Sequence, residues 1–183
     1  CINGTFNAAN GFNGFADMLP DLGSSQVIDG QGTGTELESV YMVRVNGSNN
    51  GIAPVMNYEI EVGVVDVVNY AVSGGGQAPH YYCTVGGYTG LQRGNNYSIC
   101  RIANLDATNT LTDDILSQAL QTFPAGSEPT HILMSRAQRG ALQRTRTTYS
   151  PTGQPAPLPS EYEGLPFVVT DAIQPTEAQI VAP

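Results

Sequence analysis

Lysine is absent from this chain, and so is tryptophan. All seven basic residues are arginines: Arg44, Arg93, Arg101, Arg136, Arg139, Arg144 and Arg146. A Walker-type phosphate loop needs its lysine, and so do Schiff-base and pyridoxal chemistry, so these classes are excluded. Charge of either sign is scarce. Charged residues make up 13% of the chain, about half the usual share, and sixteen acids against seven bases leave a net charge of −9. A dedicated reader of nucleic acid draws much of its affinity from neutralised phosphates, which this composition does not favour. No apolar run approaches the ~20 residues of a membrane span, and the N-terminus shows no signal-peptide pattern. The three cysteines, Cys1, Cys83 and Cys100, are an odd number, which argues against a closed disulfide framework. The apolar, strand-like surroundings of Cys83 (HYYCTV) and Cys100 (YSICRI) point to reduced, buried thiols.

What is present is a chain of 183 residues, enough for one domain with a substantial core. Twenty-one glycines and twelve prolines promise many turns and long loops. The stretch from Phe12 to Leu19 allows a short helical turn before Pro20, and Val27-Ile28 a short strand. The segment 38–45 (ESVYMVRV) is a clear strand ending at the Asn46-Gly47 turn. Residues 59–70 read as a strand with a bulge or bend at Gly63. Ser73 to Gly76 reads as a flexible connection, and 81–85 and 97–103 as further strands. Thr112 caps a predicted helix to Phe123, with Asp113 and Asp114 in the first turn and an apolar stripe of Ile115, Leu116, Ala119, Leu120 and Phe123. His131 to Met134 reads as a short buried strand, and Ser135 caps a second helix to about Arg146. A proline-rich loop over 149–166 precedes strands at 167–173 and 178–181. This order predicts a single α+β domain over 1–183, with two helices packed on a mixed sheet.

The chemistry-bearing patterns are sparse. Gly30-Gln31-Gly32-Thr33-Gly34 follows a short strand, but its spacing is GxGxG and a strand follows it, so a glycine-rich turn fits better than a dinucleotide fingerprint. His80, Cys83 and Cys100 lack the spacing and the fourth ligand of a zinc site. No GxSxG accompanies His80 or His131. Three carboxylate pairs occur. Asp113 with Asp114 fits helix capping, whereas Glu59 with Glu61 and Glu161 with Glu163 would share a face if extended, as either a glycosidase-like dyad or a charged strand edge. Sequons stand at Asn3, Asn46 and Asn96. No catalytic, cofactor or metal site is expected. The least ordinary feature is the cluster Arg136, Arg139, Arg144 and Arg146, which either compensates the second helix's dipole or forms a subunit contact with a neighbour's carboxylates.

Six segments in order carry a resemblance. They are Phe12–Pro20 (FNGFADMLP), Gly32–Val45 (GTGTELESVYMVRV), Gly90-Leu91 with Tyr97–Asp106 (YSICRIANLD), Asp113–Pro124 (DDILSQALQTFP), Pro129–Leu142 (PTHILMSRAQRGAL) and Tyr162–Asp171 (YEGLPFVVTD). Together they resemble the major capsid proteins of tailed bacteriophages, with the HK97-like shell fold. The resemblance implies a non-enzymatic virion subunit that self-assembles as hexamers and pentamers around a double-stranded DNA genome, without sequence-specific binding or a membrane. The matched segments would form the axial domain and part of the peripheral domain. The family's N-terminal arm, extended loop and most of its spine helix would lie before residue 1. Portal, scaffold and decoration proteins are the implied partners, and the bacterial cytoplasm the implied place of assembly. The absence of lysine excludes Lys–Asn isopeptide cross-links between copies of this segment. Encapsulin-type nanocompartment shells share the fold and are the alternative. A carbohydrate hydrolase using Glu161 and Glu163 is a more distant one.

Overall fold

The computed structural model describes residues 14–45, 51–62, 66–70, 76–80, 83–151 and 153–181. The Asn3 and Asn46 sequons, the Asn46-Gly47 turn, the Gly63 bend and most of the 73–76 connection lie outside them. The chain divides into two compact units, one made of residues 1–53 and 91–183, the other of 54–90.

The first unit is α+β, built on a mixed six-stranded sheet. Its strands are β1 (Val27–Asp29), β2 (Glu38–Val43), β7 (Ile99–Leu105), β8 (His131–Met134), β9 (Glu161–Tyr162) and β10 (Leu165–Val169), in the order β1-β7-β2-β8-β10-β9. β1 runs parallel to β7 and β10 parallel to β8, while β2 is antiparallel to both β7 and β8. The inner strands β2 and β7 are buried along their whole length, as strands covered on both faces are.

Alternation along the strands builds two cores. Val40, Met42, Cys100, Ile102, Ile132 and Met134 meet Leu116, Ala119, Phe123 and Leu142 on one face. These last residues belong to, or directly follow, helices α2 (Asp113–Gln121) and α3 (Arg136–Thr148). Tyr41, Val43, Ile99 and Ala103 face the other way, against Phe15 and Leu19 around the short α1 (Phe15–Met18) and against Ile173 and Ile180 of the C-terminal segment. The expected helix caps are formed. Thr112 Oγ1 accepts from Ile115 N at 3.3 Å and Ser135 Oγ from Gln138 N at 3.2 Å.

The Gly30–Gly34 run is a close-packed extension of β1. The N–H groups of Gly30 and Gly32 donate to Ala103 O and Asn104 O, both at 2.8 Å. A Cβ at Gly32 would stand 2.5 Å from Asn104 O, so the glycine is set by backbone approach.

The second unit consists of paired strands. β3 (Ile52–Val62) pairs with β6 (Cys83–Arg93), and β4 (Asp66–Tyr70) pairs antiparallel with β5 (Gly76–His80). Strand β5 thus begins at Gly76, which composition suggested as part of a connection, and β6 continues past the expected strand end at Val85 through Gly86, Gly87 and Gly90.

Three other expectations are corrected. Cys83 is exposed, whereas Cys100 is buried as expected. Burial pushes the Cys100 thiol up to about 11. Residues 178–181 form no strand; they are held by side chains instead. The final strand ends at Val169, and β9 with β10 makes a hairpin in which Tyr162 pairs with Leu165 across Glu163-Gly164.

Candidate functional site: the arginine face of α3

The second long helix is fixed on three sides. Ser135 donates from its hydroxyl to the buried Glu38 carboxylate while capping the helix. Gln138, also buried, accepts from Leu111 N at 3.1 Å. Ala141 and Leu142 enter the core. On another side the proline-rich loop lies against the helix, with Gln143 Nε2 donating to Ala156 O at 2.7 Å and Ala156 N donating to Thr147 Oγ1 at 2.9 Å.

This frame sorts the four clustered arginines. Arg146 holds Asp113 through two nitrogens, Nη2 to Oδ1 at 2.6 Å and Nε to Oδ2 at 2.9 Å, joining the end of α3 to the start of α2. The Asp113 hydrogen bonds raise the Arg146 pKa further. Arg139 Nε donates to Pro159 O at 2.8 Å, so it serves the loop. Arg136 and Arg144 are exposed and have no partner among the described residues. The other three arginines are engaged: Arg44 with Gly126 O, Arg93 with Met18 O and Asn96, and Arg101 with a buried network. Two free cations therefore stand at positions 136 and 144 of one helix, with Ala137 and Gly140 between them. The Arg144 guanidinium leans back over Gly140, its Nη1 3.6 Å from where a Cβ would be.

Sequence reasoning did not find the Arg101 network. The Arg101 side chain, in the middle of β7, is 5% exposed and pairs with Glu177 at 2.8 Å. It also donates to Ala16 O at 3.2 Å, Leu19 O at 2.8 Å and Ser39 Oγ at 2.9 Å, and it stands 5.8 Å from the centre of the Tyr41 ring. Ser39 Oγ in turn donates to Glu177. Burial pushes the Tyr41 phenol up to about 12. Nearby, Asn104 adopts φ 55° and grips the backbone of Ile180 from both sides, donating to its O at 2.8 Å and accepting from its N at 2.9 Å. Arg101 and Asn104 together fasten the C-terminal segment across the sheet. This constellation is structural, since each nitrogen of the guanidinium donates to a group of the fold.

The carboxylate pairs dissolve as dyads. Glu163 has φ 48° and Gly164 φ 79°, a two-residue hairpin turn, so Glu161 and Glu163 are not alternate residues of one extended segment. Glu59 is exposed on β3, and the Glu61 side chain lies outside the described residues. His131 Nδ1 is 2.9 Å from Thr130 Oγ1; the His80 side chain is outside the described residues. Among the described residues no three His, Cys, Asp or Glu side chains gather as metal ligands, and no helix is long and apolar enough to cross a membrane. Comparison of the sequence with protein-family models and with curated proteins finds no match.

Proposed function

We propose that this chain is a structural subunit that self-assembles into an icosahedral, HK97-like capsid shell around a double-stranded DNA phage genome. The observation that carries the reading is the coincidence of the resembling segments with one structural core. Gly32–Val45 contains β2, Tyr97–Asp106 contains β7, Asp113–Pro124 is α2, Pro129–Leu142 spans β8 and the start of α3, and Tyr162–Asp171 contains β10. Five separately placed motifs thus supply four adjoining strands and both long helices. The acidic composition supports the same role, because a shell wall must enclose packed DNA without gripping it. The unpartnered Arg136 and Arg144 are available to a neighbouring subunit, and the reading is of a structural protein, not a catalyst.

Electron microscopy of particles from the native source, with nucleic acid measured after nuclease treatment, tests this. Closed shells holding protected double-stranded DNA are expected. Closed shells with protein cargo and no DNA would replace the reading with a nanocompartment shell. Small oligomers alone would overturn assembly itself.

A further inference from the structure

We infer that the stripe Arg136–Gly140–Arg144 of α3, exposed at both arginines, is the docking surface for the acidic β3 ribbon of a second copy of this chain. The inference rests on the reading of the chain as a self-assembling subunit and names the surfaces that meet.

Gly140 is the first observation. It sits inside a thirteen-residue helix, where glycine is the poorest helix former after proline. Among the described residues, and apart from the helix's own backbone, the atom within 4 Å of an added Cβ is Arg144 Nη1, at an ordinary contact distance of 3.6 Å. A bare helix surface leaves room for close approach by another backbone. Exposed Ala137 widens the bare strip, and the two free guanidiniums flank it.

The ribbon is the second observation. A two-stranded ribbon is at best marginally stable without cover, yet β3 exposes Val55 at 47% and Ile60 at 65%, and β6 exposes Tyr88 at 81%. Alternation along a strand puts positions 55, 57, 59 and 61 on one face, which carries Glu59 and the Glu61 position.

Charge selects the pairing. Residues 54–90 hold Glu59, Glu61 and Asp66 with no Lys or Arg, while 129–160 hold four arginines and no acid. Spacing agrees as well. Positions two apart in a strand lie ~6.7 Å apart, and one helical turn is ~5.4 Å. Gly140, over which the Arg144 guanidinium is drawn back, stands four residues from Arg136. Three acids, Glu36, Glu38 and Asp106, line the same groove as Arg144, and Glu38 is buried on the Ser135 hydroxyl. Asp106 is already used by the N–H groups of Asn109 at 2.6 Å and Thr108 at 2.7 Å.

Two full-length variants test this by sedimentation velocity: R136E/R144E and E59R/E61R. Each alone is expected to remain unassembled, and an equimolar mixture to assemble again, because each variant then offers the surface complementary to the other. G140A is expected to raise the thermal midpoint of the unassembled chain while weakening association by at least about fivefold, since a methyl group intrudes on a close contact. Assembly of either charge variant alone as well as wild type would overturn the inference and leave the subunit reading standing. Failure of the mixture would overturn the pairing, including the case of an Arg stripe that meets some other anion. A wild-type chain that never associates would overturn both.

Discussion

Replacing Glu177 by Gln keeps the side chain's volume and removes the charge that Arg101 faces. Deleting one member of a fully buried ion pair destabilises by about 3–5 kcal/mol, because the remaining charge is left uncompensated. Two features of the structure lower that range here. The Glu177 side chain is 15% exposed, and Arg101 retains the carbonyls of Ala16 and Leu19 and the Ser39 hydroxyl. About 2–3 kcal/mol is therefore expected, which for a domain of this size lowers the melting temperature by roughly 4–12 °C. The loss should be felt first in the C-terminal segment. Glu177 N donates to Leu37 O at 3.0 Å and Ile180 N to Asn104 Oδ1 at 2.9 Å, so these two amides should exchange with solvent far faster than the β7 ladder in the variant. Urea unfolding followed by far-ultraviolet circular dichroism measures the global cost, and amide hydrogen exchange the local one. A loss below about 0.5 kcal/mol, the size of an ordinary surface substitution, with the Ile180 amide still protected, would refute the view that this ion pair fastens the segment.

Other substitutions probe separate parts of the fold. Gly32→Ala drives a Cβ against Asn104 O and should cost about 2–3 kcal/mol by overpacking, read as a lower urea midpoint with an unchanged slope. Cys83 should react with iodoacetamide in the native protein, while Cys100, buried with its thiol pushed up to about 11, should react only on unfolding; mass spectrometry of the labelled peptides decides. The hydrogen bonds from the Asn109 and Thr108 amides, led by Asn109, hold the Asp106 carboxyl below its ordinary value. A depressed folded-state pKa contributes stability above the unfolded value, near 3.9, which is lost as pH falls through the lower folded value. Asp106→Asn should therefore flatten the acid limb of stability against pH, and an unchanged limb would place that dependence elsewhere.

The parts of the fold legible in the sequence are those fixed by local physics. Thr112 and Ser135 announce their helices because a capping hydroxyl works within one turn, and His131–Met134 is read correctly from its own apolar run. What the sequence concealed is decided by distant partners. The HYYCTV window looks like a core strand, yet Cys83 is exposed, because burial depends on what lies across the strand. Residues 178–181 have strand composition, but the backbone N–H and C=O of Ile180 are satisfied by the Asn104 carboxamide, 76 positions away. Strand β6 runs to Arg93, beyond the expected end at Val85, because its glycines carry no pattern of their own. At the candidate site all four clustered arginines looked alike. Only the structure assigns Arg146 to Asp113 and Arg139 to Pro159 O, leaving Arg136 and Arg144 free. Gly140 held a signal that could have been found, since a glycine inside a helix otherwise rich in arginine and glutamine calls for a reason.

The separation of charge along the chain bears on the kind of assembly it can form. A twofold contact centred on a single patch puts that patch against itself. Centred on the α3 stripe it would oppose arginine with arginine, and centred on β3 it would oppose glutamate with glutamate. Both are repulsive, and with no lysine elsewhere on a chain of net charge −9 there is little flexible positive charge to offset the second. A contact between the two different patches is attractive. It closes as a reciprocal pair where the stripe and ribbon of one subunit meet the ribbon and stripe of the same neighbour, and otherwise runs head-to-tail into rings or open chains, depending on the rotation between neighbours. In either arrangement rising salt should weaken the step, because the charges that drive it are exposed. Sedimentation at graded salt and protein concentration measures this, and association that is indifferent to salt or strengthened by it would contradict the argument at its base.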